Sequence, residues 1–257
     1  MFCRGLHGFP RNSWPGLWGS FGEDLQSLKP YHIPFHIKIH RMFMLPAFRL
    51  AYRTLGQVKV VGRENVPLGK PYVIAMNHIS IFDPPLVVSF WPEKPEVIGA
   101  IDVFNKKGQG LILSMYGVIP VHRGDYDRTL LEKILAILKM GRPLVIAPEG
   151  GRSHEPAMKR AMPGVGYIIE HAQVPVIPVG LIGTTDDFWQ RSKRGEKPQL
   201  EMHIGKPIVF PPTTDPVKGA QRREARQKNA DLVMRHIAGL LPEKYHGVYA
   251  GQAISHV

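Results

Sequence analysis

Tyr72-Val73-Ile74-Ala75-Met76, running into Asn77-His78-Ile79-Ser80-Ile81-Phe82-Asp83-Pro84-Pro85, decides how this chain is read. An unbroken apolar run bounded by polar residues reads as a buried strand. Leu144-Val145-Ile146-Ala147 repeats the pattern and runs into Pro148-Glu149-Gly150-Gly151-Arg152-Ser153. Both polar stretches therefore project from strand ends, where open α/β sheets usually place their sites. Two such loops can face one cleft.

Outward from these runs, strand and helix signals alternate. Strands are predicted at 57–61, 72–76, 96–100, 118–121, 144–147 and 174–182, with a β segment at 199–210. Helices are predicted from Pro84 to about Phe90, near 105–116, at 129–140, near 163–172 and, strongly charged, at about 217–240. The amphipathic stretch Thr129 to Met140 has Asp127 or Thr129 as its cap and Gly141 as its stop. The pattern predicts an α/β fold, a single domain with a mixed sheet flanked by helices. The catalytic domain is placed at 57–245, since no Gly/Ser linker or internal repeat divides the chain.

Composition narrows the function. The chain has 257 residues, 44% of them hydrophobic, enough for a substantial core. Its one cysteine, Cys3, excludes an intrachain disulfide and a cysteine-rich zinc site, and fits a reducing compartment. The net charge of +12 invites nucleic acid, but no nucleic-acid-binding motif or basic stripe with stacking aromatics is present, so no nucleic-acid partner is expected. An anionic membrane surface explains the charge as well. No apolar run approaches the roughly 18 to 20 residues that span a bilayer, so the protein should lie on a membrane as a peripheral or monotopic protein, on the cytoplasmic face.

The N-terminal region divides in two. Residues 1–34, rich in Gly, Pro and Trp, lack the continuous apolar core of a secretory signal and read as a mobile or interfacial tail. Residues 35–56 form an amphipathic segment, mixing Phe35, Ile39, Phe43 and Leu50 with Lys38, Arg41, Arg49 and Arg53, and Pro46 should kink any helix there. Two readings fit: a helix packed on the domain with arginines on its wet side, or a helix lying in lipid headgroups. The absence of acidic residues favours the second.

The polar loops suggest transfer chemistry at a hydroxyl. A hydroxyl that attacks an electrophile must lose its proton, and imidazole is the usual base. His78 is the candidate, with Asp83 as the acceptor that orients its other N–H. Five positions apart, the two would not share a face of a regular helix and meet only if residues 79–82 form a turn. Pro84 suits the first position of a helix capped by Asp83. The plainer reading makes Asp83 only that cap and His78 a polar strand-end residue. Asn77 and Ser80 either fix the turn by hydrogen bonds or are ordinary turn formers.

These blocks resemble the glycerolipid acyltransferases of the 1-acylglycerol-3-phosphate acyltransferase type, with their Asn-His-x-Ser-x-x-Asp and Pro-Glu-Gly-x-Arg-Ser patterns. The resemblance covers roughly residues 40 to 210 and takes in Gly62 to Pro67, a second block at Gly117 to Arg123, and a fourth at Val174 to Val179. It implies a glycerol-phosphate acyltransferase-like fold, with the acceptor bound by Arg123, Glu149, Gly150 and Arg152. Guanidinium groups suit phosphate, and a carboxylate can accept from a glycerol hydroxyl. Gly150 and Gly151 let backbone N–H groups approach phosphate or a developing oxyanion.

Three positions depart from the family. Ala147 stands where Phe is frequent, Gly151 where Thr is, and Ile101 about where a phosphate-binding lysine occurs; Lys106 or Lys107 are the candidates to replace it.

The expected activity moves a fatty acyl group from acyl-CoA or acyl carrier protein to a lysophospholipid hydroxyl, foremost 1-acylglycerol-3-phosphate, in phospholipid biosynthesis. The alternatives are an acyltransferase or transacylase on another lysolipid, and a non-catalytic lipid-binding protein. No metal and no cofactor are expected: His154-Glu155-Pro156-Ala157-Met158 begins like a zinc-protease helix but lacks the second His, and no P-loop or dinucleotide fingerprint can be written.

Overall fold

The computed structural model describes residues 30–122, 127–211 and 219–255. The tail up to residue 29, and Arg123 of the second block, lie outside the described residues.

Seven strands form one sheet: β1 (Gln57–Val61), β2 (Val73–Met76), β3 (Glu96–Ala100), β4 (Ile119–Val121), β5 (Leu144–Ile146), β6 (Val176–Ile182) and β7 (Gln199–Ile204). Their order is β1-β7-β6-β2-β5-β3-β4, with parallel neighbours throughout except the antiparallel β6 and β7. The mixed sheet expected from the sequence is present.

Among the described residues eight α-helices flank it: α1 (Phe35–Leu55), α2 (Asp83–Phe90), α3 (Ile101–Phe104), α4 (Gln109–Tyr116), α5 (Arg128–Lys139), α6 (Gly164–Ala172), α7 (Phe188–Lys193) and α8 (Gly219–Ala238). The continuous apolar runs of the central strands follow from burial on both faces. Val73, Ala75, Leu144 and Ile146 pack with α5, α6 and α8. Ile74, Met76 and Val145 alternate to the other face and meet α1, α2 and α4.

Some expected boundaries move. The helix foreseen near 105–116 begins later, at Gln109, because Gly108 takes a φ of 80°, and the short α3 precedes it. The β segment at 199–210 ends as a strand at Ile204, leaving Ile208 bridged to Val176. The short helix α7 carries no long periodic pattern and was not foreseen. Asp127 is the cap of α5, accepting from the Leu130 N–H.

The N-terminal segment is one continuous helix that runs through Pro46. One face packs on the domain through Ile37, Met44, Leu45 and Tyr52, while Phe35, Met42, Phe43 and Leu50 are exposed. The basic residues do not all face outward as expected. Arg41 is buried and forks onto the buried carboxylate of Glu96 at 2.9 and 2.6 Å, so that two desolvated charges compensate each other. Arg49 donates to the Ser89 carbonyl. Lys38 and Arg53 remain exposed. Among the described residues no helix is long and apolar enough to cross a membrane.

Candidate active site

The first block leaves the sheet under the control of Asn77. Its buried amide donates to the Leu181 carbonyl at 3.1 Å and accepts from the Leu181 N–H at 2.7 Å, replacing a strand pairing just past the end of β2. The chain then turns. Asp83 Oδ2 accepts from the Ile79 N–H at 2.7 Å and the Ser80 N–H at 2.8 Å, and Ser80 Oγ accepts from the Phe82 N–H at 3.1 Å. The turn brings His78 Nδ1 to 2.8 Å from the same carboxylate oxygen. Three donors converging on one oxygen place the imidazole proton on Nδ1, which leaves Nε2 as the acceptor a base requires. The His78 side chain is 16% exposed and that of Asp83 0%.

Asp83 is not the helix cap expected. It is the first residue of α2, whose cap position is Phe82, and no side-chain cap bond forms. Had Asp83 been the cap, the N–H groups within its reach would belong to Pro85, which has none, and Leu86, which bonds the Phe82 carbonyl. The carboxylate therefore turns back to the loop and the imidazole.

The helix α1 also supports this turn. Tyr52 donates to the Phe82 carbonyl at 2.6 Å. Its ring stacks on Phe188 of α7, which meets Phe82 edge-on.

The third block follows β5, whose residues run alongside β2 in register. Gly150, at a φ of 69°, closes a turn by donating its N–H to the Ala147 carbonyl at 3.0 Å. That N–H is thus committed within the loop rather than offered to a ligand, contrary to the expectation for this glycine. Glu149 makes contacts that its motif does not announce. It is buried, with Oε1 accepting from the His78 N–H at 2.9 Å and Oε2 from the Lys159 N–H at 2.8 Å. A carboxylate so placed braces the two loops, and each of its oxygens keeps a further lone pair. Burial pushes its carboxyl above the usual range, against the partly compensating amides of Lys159 and His78. The same loops pair again through Ser153 N–H to the His78 carbonyl at 2.8 Å and His154 N–H to the Ile79 carbonyl at 3.2 Å.

Beside this junction lies a cleft of about 290 Å³ lined by Asp102, Val103, Lys106, Gly151, Arg152, His154 and Lys159. Of the two lysines suggested to replace the one missing at Ile101, Lys106 lines the cleft and Lys107 does not. Lys159 and His154 were not singled out as site residues. Their membership depends on how the third loop folds back: Lys159 Nζ donates to the Arg152 carbonyl at 2.8 Å. A C-terminal segment holds that loop from behind, with Met158 N–H donating to the Tyr245 carbonyl at 2.9 Å. Among the described residues no group of three His, Cys, Asp or Glu is placed to hold a metal.

Residues 57–182 match the sequence profile of the family described as Acyltransferase. The chain is 25% identical over 176 residues to human 1-acyl-sn-glycerol-3-phosphate acyltransferase alpha, covering 67% of this chain and 61% of that protein. Against the 1-acyl-sn-glycerol-3-phosphate acyltransferase of Bacillus subtilis it is 26% identical over 168 residues, covering 65% and 81%. The chain spans about three fifths of the length of the mammalian relatives it matches. In fold it resembles the crystal structure of the 1-acyl-sn-glycerophosphate (LPA) acyltransferase PlsC from Thermotoga maritima, with a TM-score of 0.51 and 21% identity over 77% of this chain and 78% of that one. Residues 57–182, with the polar blocks set at the ends of β2 and β5, form a domain of the acyltransferase family.

Proposed function

We propose that the protein transfers a fatty acyl group from a thioester, acyl-CoA or acyl carrier protein, to the free hydroxyl of 1-acylglycerol-3-phosphate at a membrane surface. His78 Nε2 takes the hydroxyl proton as the oxygen attacks the thioester carbonyl, and the imidazolium returns that proton to the departing thiolate. No acyl-enzyme is needed. Asp83 holds the ring and stabilises its charged form.

The observation that carries this reading is the His78–Asp83 pair, hydrogen-bonded through its own backbone to the loop that lines a basic cleft. Lys106, Arg152 and Lys159 outnumber Asp102 there, which suits a phosphomonoester. Lys106 supplies the cation that Ile101 cannot, favouring lysophosphatidate over a lysolipid without a phosphomonoester. The exposed Phe35, Met42, Phe43 and Leu50 of α1, with Lys38 and Arg53, support contact with an anionic bilayer, on the cytoplasmic face, where acyl-CoA and acyl carrier protein are found.

The test is turnover by purified protein given acyl-CoA and a panel of lysophospholipids. Lysophosphatidate should be the best acceptor, and His78→Ala should lower turnover about 10² to 10⁴-fold with the fold retained. Undiminished turnover in that variant removes His78 as the base.

A further inference from the structure

A second His–Asp pair stands at the cleft, its histidine in the lining, and the reaction as proposed leaves both residues unused. His154 Nδ1 lies 3.0 Å from Asp186 Oδ2, and the other oxygen of Asp186 lies 3.8 Å from Arg152 Nη1. One carboxylate thus holds the His154 ring and lies within ion-pair distance of Arg152, and both of these side chains line the cleft.

The backbone at His154 is unusual. Three residues other than glycine have positive φ among the described residues: Gln173 ends α6, Lys197 lies in the turn before β7, and His154, at 66°, sits in the cleft wall. A side chain with a Cβ enters the left-handed region at a cost. Here the conformation accompanies the bond from the His154 N–H to the Ile79 carbonyl, which fixes the ring's starting point to the loop of the proposed base.

The two pairs differ in solvation. His78 and Asp83 are 16% and 0% exposed, whereas His154 and Asp186 are 55% and 47% exposed. A solvated imidazole with a solvated partner is poorly shielded for proton transfer and well placed to bind. With Nδ1–H given to Asp186, Nε2 reaches a phosphate oxygen as a donor in the imidazolium form, which the carboxylate and a phosphate dianion both favour.

We propose that His154, positioned by Asp186, is a specificity-determining residue that binds substrate phosphate in the cleft beside Lys106, Arg152 and Lys159. The proposal rests on the acyltransferase reading for which substrate brings the phosphate. Both the lysophosphatidate headgroup and the nucleotide of an acyl-CoA carry one.

His154→Gly is the informative variant, because glycine takes a φ of 66° without strain and removes only the ring. Asp186→Asn keeps the shape and removes the charge. Steady-state kinetics with each substrate varied, thermal unfolding, and calorimetry with glycerol 3-phosphate together decide the matter. The expected result is a rise of about tenfold in the acceptor KM of His154→Gly, as for loss of one charged hydrogen bond, with kcat and Tm little changed and Asp186→Asn following in the same direction. A rise confined to the acyl-CoA KM also upholds phosphate binding and assigns it to the donor. Unchanged KM for both substrates, or a lowered Tm with unchanged KM, overturns the proposal. Should the wild-type chain acylate no lysolipid, the acyltransferase reading falls by itself. Weaker binding of glycerol 3-phosphate by His154→Gly still upholds the role of His154 in that case, and equal binding refutes it.

Discussion

Two buried glutamates at opposite ends of the central strands have opposite electrostatic fates. Glu96 opens β3, in register with Leu144 at the start of β5; Glu149 lies just past that strand's other end. Burial alone would raise both carboxyls. At Glu96 the guanidinium groups outweigh it: Arg41 forks onto the carboxylate, Arg142 adds contacts at 2.9 and 2.7 Å, and Tyr31 donates at 2.9 Å, so the carboxyl sits below the usual range. At Glu149 burial outweighs the amides of Lys159 and His78, and the carboxyl sits above it. One end is charge-compensated and joins α1 to the sheet. The other holds Glu149 and Asp83 beside His78, an arrangement that welcomes positive charge on the imidazole when it forms during transfer.

The sharpest way to break the first half of this comparison is Glu96→Gln. It leaves Arg41 buried without a counter-charge, and such losses cost about 3–5 kcal/mol. Unfolding by denaturant should show that drop, with turnover per folded molecule close to normal. The lowered carboxyl fixes the sign with pH. The stabilisation from Glu96 is present above the ordinary carboxylate range of about 4.3 and is lost as pH falls through its depressed folded value. The deficit of the variant should therefore shrink in acid. A deficit independent of pH would mean that packing, not charge, holds α1 to the sheet.

Asp83→Asn tests the other end. The Ile79 and Ser80 amides that meet Oδ2 demand an acceptor, so they hold the Asn carbonyl oxygen toward His78 and keep its tautomer. The new NH₂ falls where Oδ1 is now buried without a hydrogen-bond partner. Geometry should survive while the negative charge that stabilises imidazolium is lost. Turnover should fall about 10- to 100-fold, less than for His78→Ala, and a loss equal to that of His78→Ala would show that the ring has been misplaced.

Glu149→Gln sharpens the contrast. A Gln has one carbonyl oxygen for two amides, so either the His78 or the Lys159 N–H loses its acceptor. Removing a buried charge offsets part of that loss, and at neutral pH stability should change by about 1 kcal/mol or less. Turnover should fall about tenfold as the two loops loosen, since misplacement of a catalytic group is costly. Because the carboxyl is raised, its stabilising contribution is present below about pH 4.3 and is lost as pH rises through the folded value. The Gln variant should lose ground to the wild type in acid, opposite in sign to Glu96→Gln. Matching pH trends in the two variants would refute the comparison.

What the sequence revealed of this contrast was what is local. The strand ends, the turn and the meeting of His78 with Asp83 lie within a few residues of one another, and a buried strand followed by a prolyl helix start is written in the residues themselves. The bracing role of Glu149 is not written there, because its partner His78 is 71 positions away and offers a backbone amide, which no side-chain pattern announces. Arg41 was assigned to lipid because its partner Glu96 is 55 positions away. Lys159 joins the cleft only through the return of its loop, and α7 is too short to show a helical period, although its buried Phe188 props the turn of the first block. Local turns are legible; long-range charge pairing is not.

The smallest expected effect concerns the outer face of α1, where the burial of Arg41 leaves Lys38 and Arg53 as the exposed basic residues beside Phe35, Met42, Phe43 and Leu50. Each charge near an anionic surface contributes about 1 kcal/mol, an attraction screened by salt. Lys38→Gln and Arg53→Gln should each weaken partition to anionic liposomes about fivefold at low salt, and little at high salt, with Tm unchanged. Arg41→Gln should behave in the opposite manner, lowering Tm through its lost pairing with Glu96 while the folded fraction binds liposomes as before. This separates the two functions of one helix, an inner face that holds the sheet and the proposed turn of the base, and an outer face for lipid. Equal liposome binding by a Lys38→Gln/Arg53→Gln double variant would move the membrane contact off α1 while leaving its inner role at Tyr52 and Arg41 intact.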